Sequence, residues 1–283
     1  MALKIKRFTS PEDFWNEVNP HLRHEEAKNS MCLGATRMLC ADPSGCRYVG
    51  ALFDDNKFLS AMLAAEYMRN KVVVASPAQN AEHAKLLFVD FMASGAPYTG
   101  LVADLPTAEY YRELFHQDGK QTKINMRHGI FRCAKVEIPK IPSHLKFRKA
   151  EKSDVATLGN WSTMFFHEAS PHDAKVDGAE FAQKKINDGL LYVIEDGAKL
   201  LSMAGYSRDI GTSCSVNFVY TPPELRKNGY ASMVTALLTQ HHLDNGKNET
   251  NLYTDLTNPT SNKIYQQIGY QFVCESLHFG ILP

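Results

Sequence analysis

Ser213-Cys214-Ser215-Val216-Asn217-Phe218-Val219-Tyr220, then Thr221-Pro222-Pro223, then Glu224-Leu225-Arg226-Lys227-Asn228-Gly229-Tyr230-Ala231, is the stretch whose reading decides the fold. The first run is dense in β-branched and aromatic residues and predicts a strand. Two prolines end it, because neither donates to a ladder. Past the loop, Tyr230, Met233, Val234, Leu237 and Leu238 recur at helical spacing. The order is therefore strand, proline turn, Arg-x-x-Gly-x-Ala loop, helix. A helix start carries amides with no intrahelical acceptor at the positive end of the macrodipole, which suits a phosphate. Gly229 permits close backbone approach, small Ala231 leaves the first turn uncovered, and Arg226 and Lys227 add positive charge. A glycine before a helix also serves as an ordinary turn, so the loop alone leaves both readings standing.

A second stretch follows at 251–270. Asn251 to Asp255 reads as a short strand. After it come Asn258-Pro259-Thr260-Ser261-Asn262-Lys263-Ile264-Tyr265-Gln266-Gln267-Ile268-Gly269-Tyr270, where Thr260 or Ser261 can cap a short helix and Gly269 can close it. Together the two stretches resemble the GNAT superfamily of N-acetyltransferases. The family's acyl-CoA loop, Gln/Arg-x-x-Gly-x-Gly/Ala, is matched at Arg226, Gly229 and Ala231. Its later Asn-x-x-Ser-x-x-x-Tyr-x-x-x-Gly-Tyr/Phe segment is matched at Asn258, Ser261, Tyr265, Gly269 and Tyr270. The resemblance covers roughly residues 144 to 283. It implies an α+β fold, a central mixed and largely antiparallel sheet flanked by helices.

The resemblance also implies a site. Acetyl-CoA would be the acyl donor, and no metal is called for. The loop from Arg226 through Lys227, Asn228, Gly229, Tyr230 and Ala231 would hold the diphosphate. The backbone of Phe218, Val219, Tyr220 and Thr221 would meet the pantetheine arm, on a strand expected to part from its neighbour after Asn251. Tyr265 would protonate the leaving thiolate, since a phenol is neutral near pH 7; packing with Ile268 is its other reading. Asn258 would bind the cofactor arm or the acceptor, or serve the turn before Pro259. Ser261 would touch the cofactor or cap the helix.

Many family members place an acidic base on the cofactor strand, and Ser213–Tyr220 holds no carboxylate. Glu168, His167, Glu195 and Asp209 are the alternatives, none singled out by spacing. Phe165, Phe166 and His167 fall where the acceptor side is usually lined, though an aromatic pair also suits a core. Without a Ser or Cys beside a His–carboxylate signature, the expected attack is direct; Cys214 is the one conceivable nucleophile.

Composition sets the outer limits. The chain has 283 residues, 44% hydrophobic, with 31 basic and 31 acidic side chains. Zero net charge argues against a broad nucleic-acid footprint. The six cysteines lack Cys-x-x-Cys spacing, and Cys32, Cys40 and Cys46 have no following histidine pair, so free thiols in a reducing compartment are expected. Neither a signal-peptide core nor a run of membrane-spanning length occurs. The expectation is a cytoplasmic monomer or homodimer whose partner is a small-molecule or peptide amine, with no nucleic acid and no membrane.

In chain order, a strand at Lys4–Phe8 precedes a helix capped by Ser10. Strands are expected at Ala35–Ala41, Tyr48–Asp54, from Lys57 to about Met62, and Lys71–Ala75, with 59–68 also readable as helix. Ser76-Pro77 leads into a helix to Ala93. Then come a strand at Thr99–Asp104, a helix at Thr107–Phe115, and strands at Gln121–Met126 and Ile130–Val136. Pro139 and Pro142 mark a linker. The second half starts with a strand at His144–Lys149, a helix capped by Ser153, a helix at Val176–Ile186, and a hairpin across Asp196-Gly197. It ends with a strand at Tyr270–Ile281.

The Val72–Pro77 stretch plus a helix mirrors Phe218–Pro222 plus a helix. No Arg-x-x-Gly-x-Gly/Ala occurs near 76–85. The chain is therefore expected to hold a degenerate GNAT-like domain at 1–140 and a GNAT acetyltransferase domain at 141–283. Its expected function is transfer of an acetyl or short acyl group from acetyl-CoA to a primary amine. A non-catalytic acyl-CoA-binding or regulatory module is the alternative. A nucleotide-dependent enzyme is disfavoured, since neither phosphate-loop glycine motif is present.

Overall fold

The computed structural model describes residues 3–75, 80–169 and 176–282; the Ser76-Pro77 turn lies outside them. The elements are β1 (Leu3–Arg7), α1 (Pro11–Leu22), α2 (Glu26–Ala41), β2 (Cys46–Asp54), β3 (Lys57–Ala65), β4 (Lys71–Ala75), α3 (Ala81–Ala93), β5 (Gly100–Asp104), α4 (Leu105–Gln117) and β6 (Thr122–Cys133). They continue with β7 (Leu145–Lys149), α5 (Val155–Ala169), α6 (Gly178–Asn187), β8 (Leu191–Asp196), β9 (Lys199–Ser207), β10 (Ser213–Tyr220), α7 (Tyr230–Asp244), β11 (Glu249–Asp255), α8 (Pro259–Gln267) and β12 (Gln271–Ile281). From β7 to β12 the string of strands and helices repeats that from β1 to β6, element for element.

The chain divides into two compact units, Met1–Ile130 with Thr254–Thr257 and Val273–Pro283, and Phe131–Tyr253 with Asn258–Phe272. In the first, the strand order is β1-β2-β3-β4-β5-β12-β6. β4 and β5 pair in parallel, whereas β1–β2, β2–β3, β3–β4 and β5–β12 are antiparallel. Leu87, Phe91, Tyr111 and Phe115 of α3 and α4 bury one face against Val72, Val74, Leu101, Ala103, Leu277 and Phe279. The strand beside β5 is thus the last of the chain: Phe279 pairs with Leu101 and His278 with Val102.

In the second unit the order is β11-β10-β9-β8-β7. β10 and β11 are parallel, and β9–β10, β8–β9 and β7–β8 are antiparallel. Alternation along β8 sorts the two faces. Leu191 and Val193 meet Leu158, Trp161, Ala182 and Ile186 of α5 and α6; Tyr192 and Ile194 meet Val234 and Leu238 of α7. Mixed α/β elements in a mostly antiparallel arrangement with flanking helices are thus what the chain forms.

Several local expectations need correction. Ala35–Ala41 is the end of α2, not a strand. Its buried positions are Ala27, Asn29, Ser30, Cys32, Leu33, Gly34, Ala35, Thr36 and Leu39, mostly small side chains, polar ones among them, that carry little periodic apolar signal. Asn29 Nδ2 donates to the Leu22 carbonyl at 3.0 Å, fixing the corner between α1 and α2. The Gln121–Met126 and Ile130–Val136 strands are one strand, β6. Ser153 does not cap α5: Glu151 and Asp154 form a reciprocal capping box around the preceding turn. Ser10 does cap α1, accepting from the Asp13 amide. All six cysteines are free thiols. Among the described residues no helix is long and apolar enough to cross a membrane.

Candidate active site

α7 starts at Tyr230 behind Gly229, whose φ of 79° is left-handed, and Lys227 also has positive φ, 67°. Two such residues turn the chain sharply after the proline turn. Asn228 Nδ2 donates to the Leu225 and Arg226 carbonyls at 3.1 and 3.2 Å and holds the turn closed. The first amide of this region with a backbone acceptor is Met233, bonded to the Gly229 carbonyl. Among the described residues, the amides of 227–232 meet no protein acceptor. They converge on the positive end of a helix fifteen residues long, an arrangement suited to an anion. Tyr230 packs partly into the core beside Val234, which leaves its amide, rather than its ring, to the site.

Arg226 has protein partners of its own. Its Nε donates to the Thr221 carbonyl at 2.9 Å, its guanidinium pairs with Glu168 at 2.7 Å, and it lies over the Tyr220 ring at 5.7 Å. The Tyr220 hydroxyl also reaches Glu168, at 3.4 Å. Arg226 therefore braces the loop against the end of α5. Lys227, the loop's other cation, is exposed as well.

β10 departs from a regular strand on both edges. Its parallel ladder with β11 holds only Ser213–Glu249, Cys214–Thr250 and Ser215–Asn251; beyond Asn251 the two strands part, as expected. On the other edge, Asn217 opposes Gly205 while Tyr220 opposes Met203. Phe218 and Val219 thus face a single residue, which is a β-bulge. Phe218 has φ 51°, an outlier for a large aromatic side chain. Phe165, Phe166 and Phe181 surround its ring at centroid distances of 5.2, 5.8 and 4.6 Å, and this packing fixes the strained conformation. The bulge turns backbone polar groups of 218–219 out of the ladder, next to the parted edge. Thr221 is tied to Ser202 through its hydroxyl at 2.9 Å.

On α8, Asn258 is the cap: its Oδ1 accepts from the Ser261 amide at 3.1 Å. Neither Thr260 nor Ser261 takes that role, because Pro259 fills the first turn and sets the cap one residue earlier. Gly269 closes the helix at φ 103°, where a Cβ would meet the Lys135 carbonyl at 2.5 Å. Tyr265 is half-buried beside Leu252, Ile268 and Tyr270, its ring 6.0 Å from that of Tyr270. Its hydroxyl bonds to no described residue. Burial pushes its pKa up to about 12, so the phenol keeps its proton throughout the neutral range.

The proposed bases fare unequally. Glu195 is bound to Arg148 at 2.8 Å and Asp209 to Lys247 at 2.6 Å, both held in structural pairs. Glu168 is committed to Arg226 and Tyr220, and His167 is exposed. Burial pushes the Cys214 thiol up to about 12, which removes it as a nucleophile. Lys185, Arg208, Ser215 and Asn251 also converge on this side of β10. No motif or spacing pointed to them, since the contacts depend on the bulge and on Arg208 having φ 50°.

A sequence model of the acetyltransferase (GNAT) family matches residues 155–270. No curated protein matches by sequence. Among solved structures, a Drosophila protein superposes with a TM-score of 0.71 at 12% identity, over 99% of this chain and 98% of its own. A GCN5-related N-acetyltransferase from Sphaerobacter thermophilus gives 0.62 at 12%, over 99% and 95%. A tandem GNAT protein from the clavulanic acid biosynthesis pathway gives 0.58 at 9%, over 99% and 98%. At such identities the likeness is one of fold, and it extends over the length of the chain.

Proposed function

We infer that this chain, whose residues 155–270 match a model of the GNAT acetyltransferase family, acetylates a primary amine from acetyl-CoA by direct attack. The thioester supplies the activated acyl group. The amides of 227–232 bind the diphosphate, and their lack of protein acceptors is the observation that carries the reading. The bulged backbone at Phe218 and Val219, with Tyr220 and Thr221, lines the arm and orients the acyl carbonyl. Tyr265 gives its proton to the departing sulfur. Asn258 and Ser261 position the end of α8. The recurring order of elements supports a tandem chain, with an N-terminal copy over about 1–140 lacking the loop motif and a catalytic copy over 141–283. A cytoplasmic setting fits the free thiols.

Calorimetric titration with coenzyme A, followed by thiol release from acetyl-CoA with a panel of amines, tests this reading. Binding with turnover is expected. Binding without turnover on any amine would favour a non-catalytic acyl-CoA module, and no binding would end the assignment.

The brace around Arg226 yields a separate expectation. Arg226→Glu sets two carboxylates side by side and loosens the loop, so the KM for acetyl-CoA rises several-fold. Adding Glu168→Arg restores the pair with its polarity exchanged and recovers most of the loss. Were Arg226 a direct phosphate ligand, the exchange would recover nothing.

A further inference from the structure

On the α6 side of β10, next to the bulge, cationic and amide groups gather, and among the described residues none of these cations is bonded to a carboxylate. Arg208 follows β9, and its φ of 50° breaks the alternation that would carry it to the α7 face with Tyr206. Its Nε instead donates to Ser215 Oγ at 2.8 Å, and its guanidinium lies over the Tyr253 ring at 4.5 Å. Among the described residues it has no carboxylate partner: neighbouring Asp209 is turned to Lys247. Lys185 of α6 stands over Phe218 at 5.2 Å, and among the described residues it bonds only the Tyr206 carbonyl, at 3.4 Å. Burial lowers the pKa of both groups, that of Lys185 to about 8.

Arg208 and Lys185 are both half-buried, and a partly desolvated cation with no carboxylate beside it favours an anionic ligand. Two amides define that ligand further. Ser215 Oγ donates to Asn251 Oδ1 at 2.5 Å, which leaves Asn251 Nδ2, on a residue 0% exposed, as a donor with no acceptor among the described residues. Asn217 Nδ2 donates to Ser207 at 2.5 Å, which leaves its Oδ1 as a buried acceptor with no donor among the described residues. Donors therefore lie at Arg208 and Asn251, where β10 and β11 last pair. The free acceptor lies at Asn217, adjoining the bulge. Ser215 and Asn217 are about 7 Å apart along the strand, the span of an amine and an anionic group separated by roughly one or two carbons with a hydrogen bond at each end.

We propose that the acceptor is an amino acid, with its carboxylate held by Arg208 and Asn251 and its amine directed by Asn217 toward the bulge. The proposal rests on the acyl-transfer reading for which group reacts. Lys185 supplies second positive charge above Phe218. The arrangement selects an acceptor of dual character: an amine without the anionic group leaves Arg208 unpaired, and an anion without the amine leaves Asn217 unmet.

The test compares alanine with alaninamide, β-alanine with β-alaninamide, and phosphoethanolamine as acceptors in thiol release from acetyl-CoA, using the whole wild-type chain. Amino acids are expected to exceed their amides at least tenfold in kcat/KM. Equal use of the amides would overturn the proposal, and a preference for phosphoethanolamine would replace the carboxylate by a phosphate and overturn it in that form. Arg208→Gln should raise the KM for amino acids at least tenfold, leave the KM for acetyl-CoA unchanged and not lower Tm, since a merely structural arginine would cost stability when removed. The wild-type comparison decides the matter even if that variant fails to fold. If no amine supports thiol release, acyl transfer itself fails; titration of the CoA-loaded wild type with alanine against alaninamide then decides the anion site, heat with alanine alone supporting it and no difference refuting it.

Discussion

Tyr265→Phe is expected to lower acetyl transfer by about two orders of magnitude while coenzyme A binds as before. The substitution removes one oxygen and keeps the ring that packs against Leu252, Ile268 and Tyr270. The hydroxyl has no hydrogen bond to a described residue, so its loss leaves no protein group unsatisfied and stability should hardly change. The effect falls on the leaving group, since a thiolate departing without a proton must carry its full charge into a half-buried space. With its pKa pushed up to about 12 by burial, the phenol stays protonated as pH rises through the neutral and moderately basic range. The rate should therefore climb with pH as the amine loses its proton, with no loss from Tyr265 until pH nears that value. Single-turnover kinetics beside calorimetry would separate the two quantities. Unchanged turnover in the phenylalanine variant would remove Tyr265 from the chemistry and leave its packing as its whole role.

What was legible in the sequence follows from how local each signal is. β10 spans Ser213–Tyr220 as read, and α7 begins at Tyr230 after Gly229, because paired prolines and a glycine punctuate the chain without tertiary help. The hairpin across Asp196-Gly197 and the cap at Ser10 were equally local. The strand expected at 35–41 is the end of α2, since small buried residues such as Ala27 and Ala35 define a helix face only once α1 lies against it. The pairing of β12 with β5 joins positions as far apart as Gly100 and Gly280, and nothing nearby in either strand encodes it. In the candidate site, the loop's place before α7 was readable from its glycine and prolines, while Tyr265 was singled out by the family resemblance alone. The brace from Arg226 to Glu168 was not readable: guanidinium and loop motif look alike in sequence whether the cation faces a phosphate or a carboxylate. The bulge at Phe218 was hidden for the same reason, because a phenylalanine in a run of Val and Tyr predicts regular strand, and only the ring cluster of α5 and α6 holds it at positive φ. Arg208 depends in turn on a second such residue.

Gly229→Val should weaken coenzyme A binding at least tenfold, whereas Gly229→Asn should keep most of it. The contrast isolates the backbone. A Cβ at Gly229 meets only the end of the Met233 side chain, at 3.6 Å, so crowding does not decide the outcome. The φ of 79° does: a left-handed conformation costs an ordinary L-residue roughly 1–2 kcal/mol and a β-branched one more, while asparagine enters it readily. Valine would relieve that strain by swinging the turn toward negative φ. The amides of 228–231 share the rotation and lose their common direction, and the dipole alone cannot replace several charge-assisted hydrogen bonds. A lowered Tm with unchanged affinity would mean that the strain is absorbed in place and the amides stay aligned. Equal loss of affinity in both variants would implicate the side chain's bulk instead of the backbone. Only valine losing affinity, with asparagine close to wild type, fits a diphosphate held by main-chain donors at the start of α7.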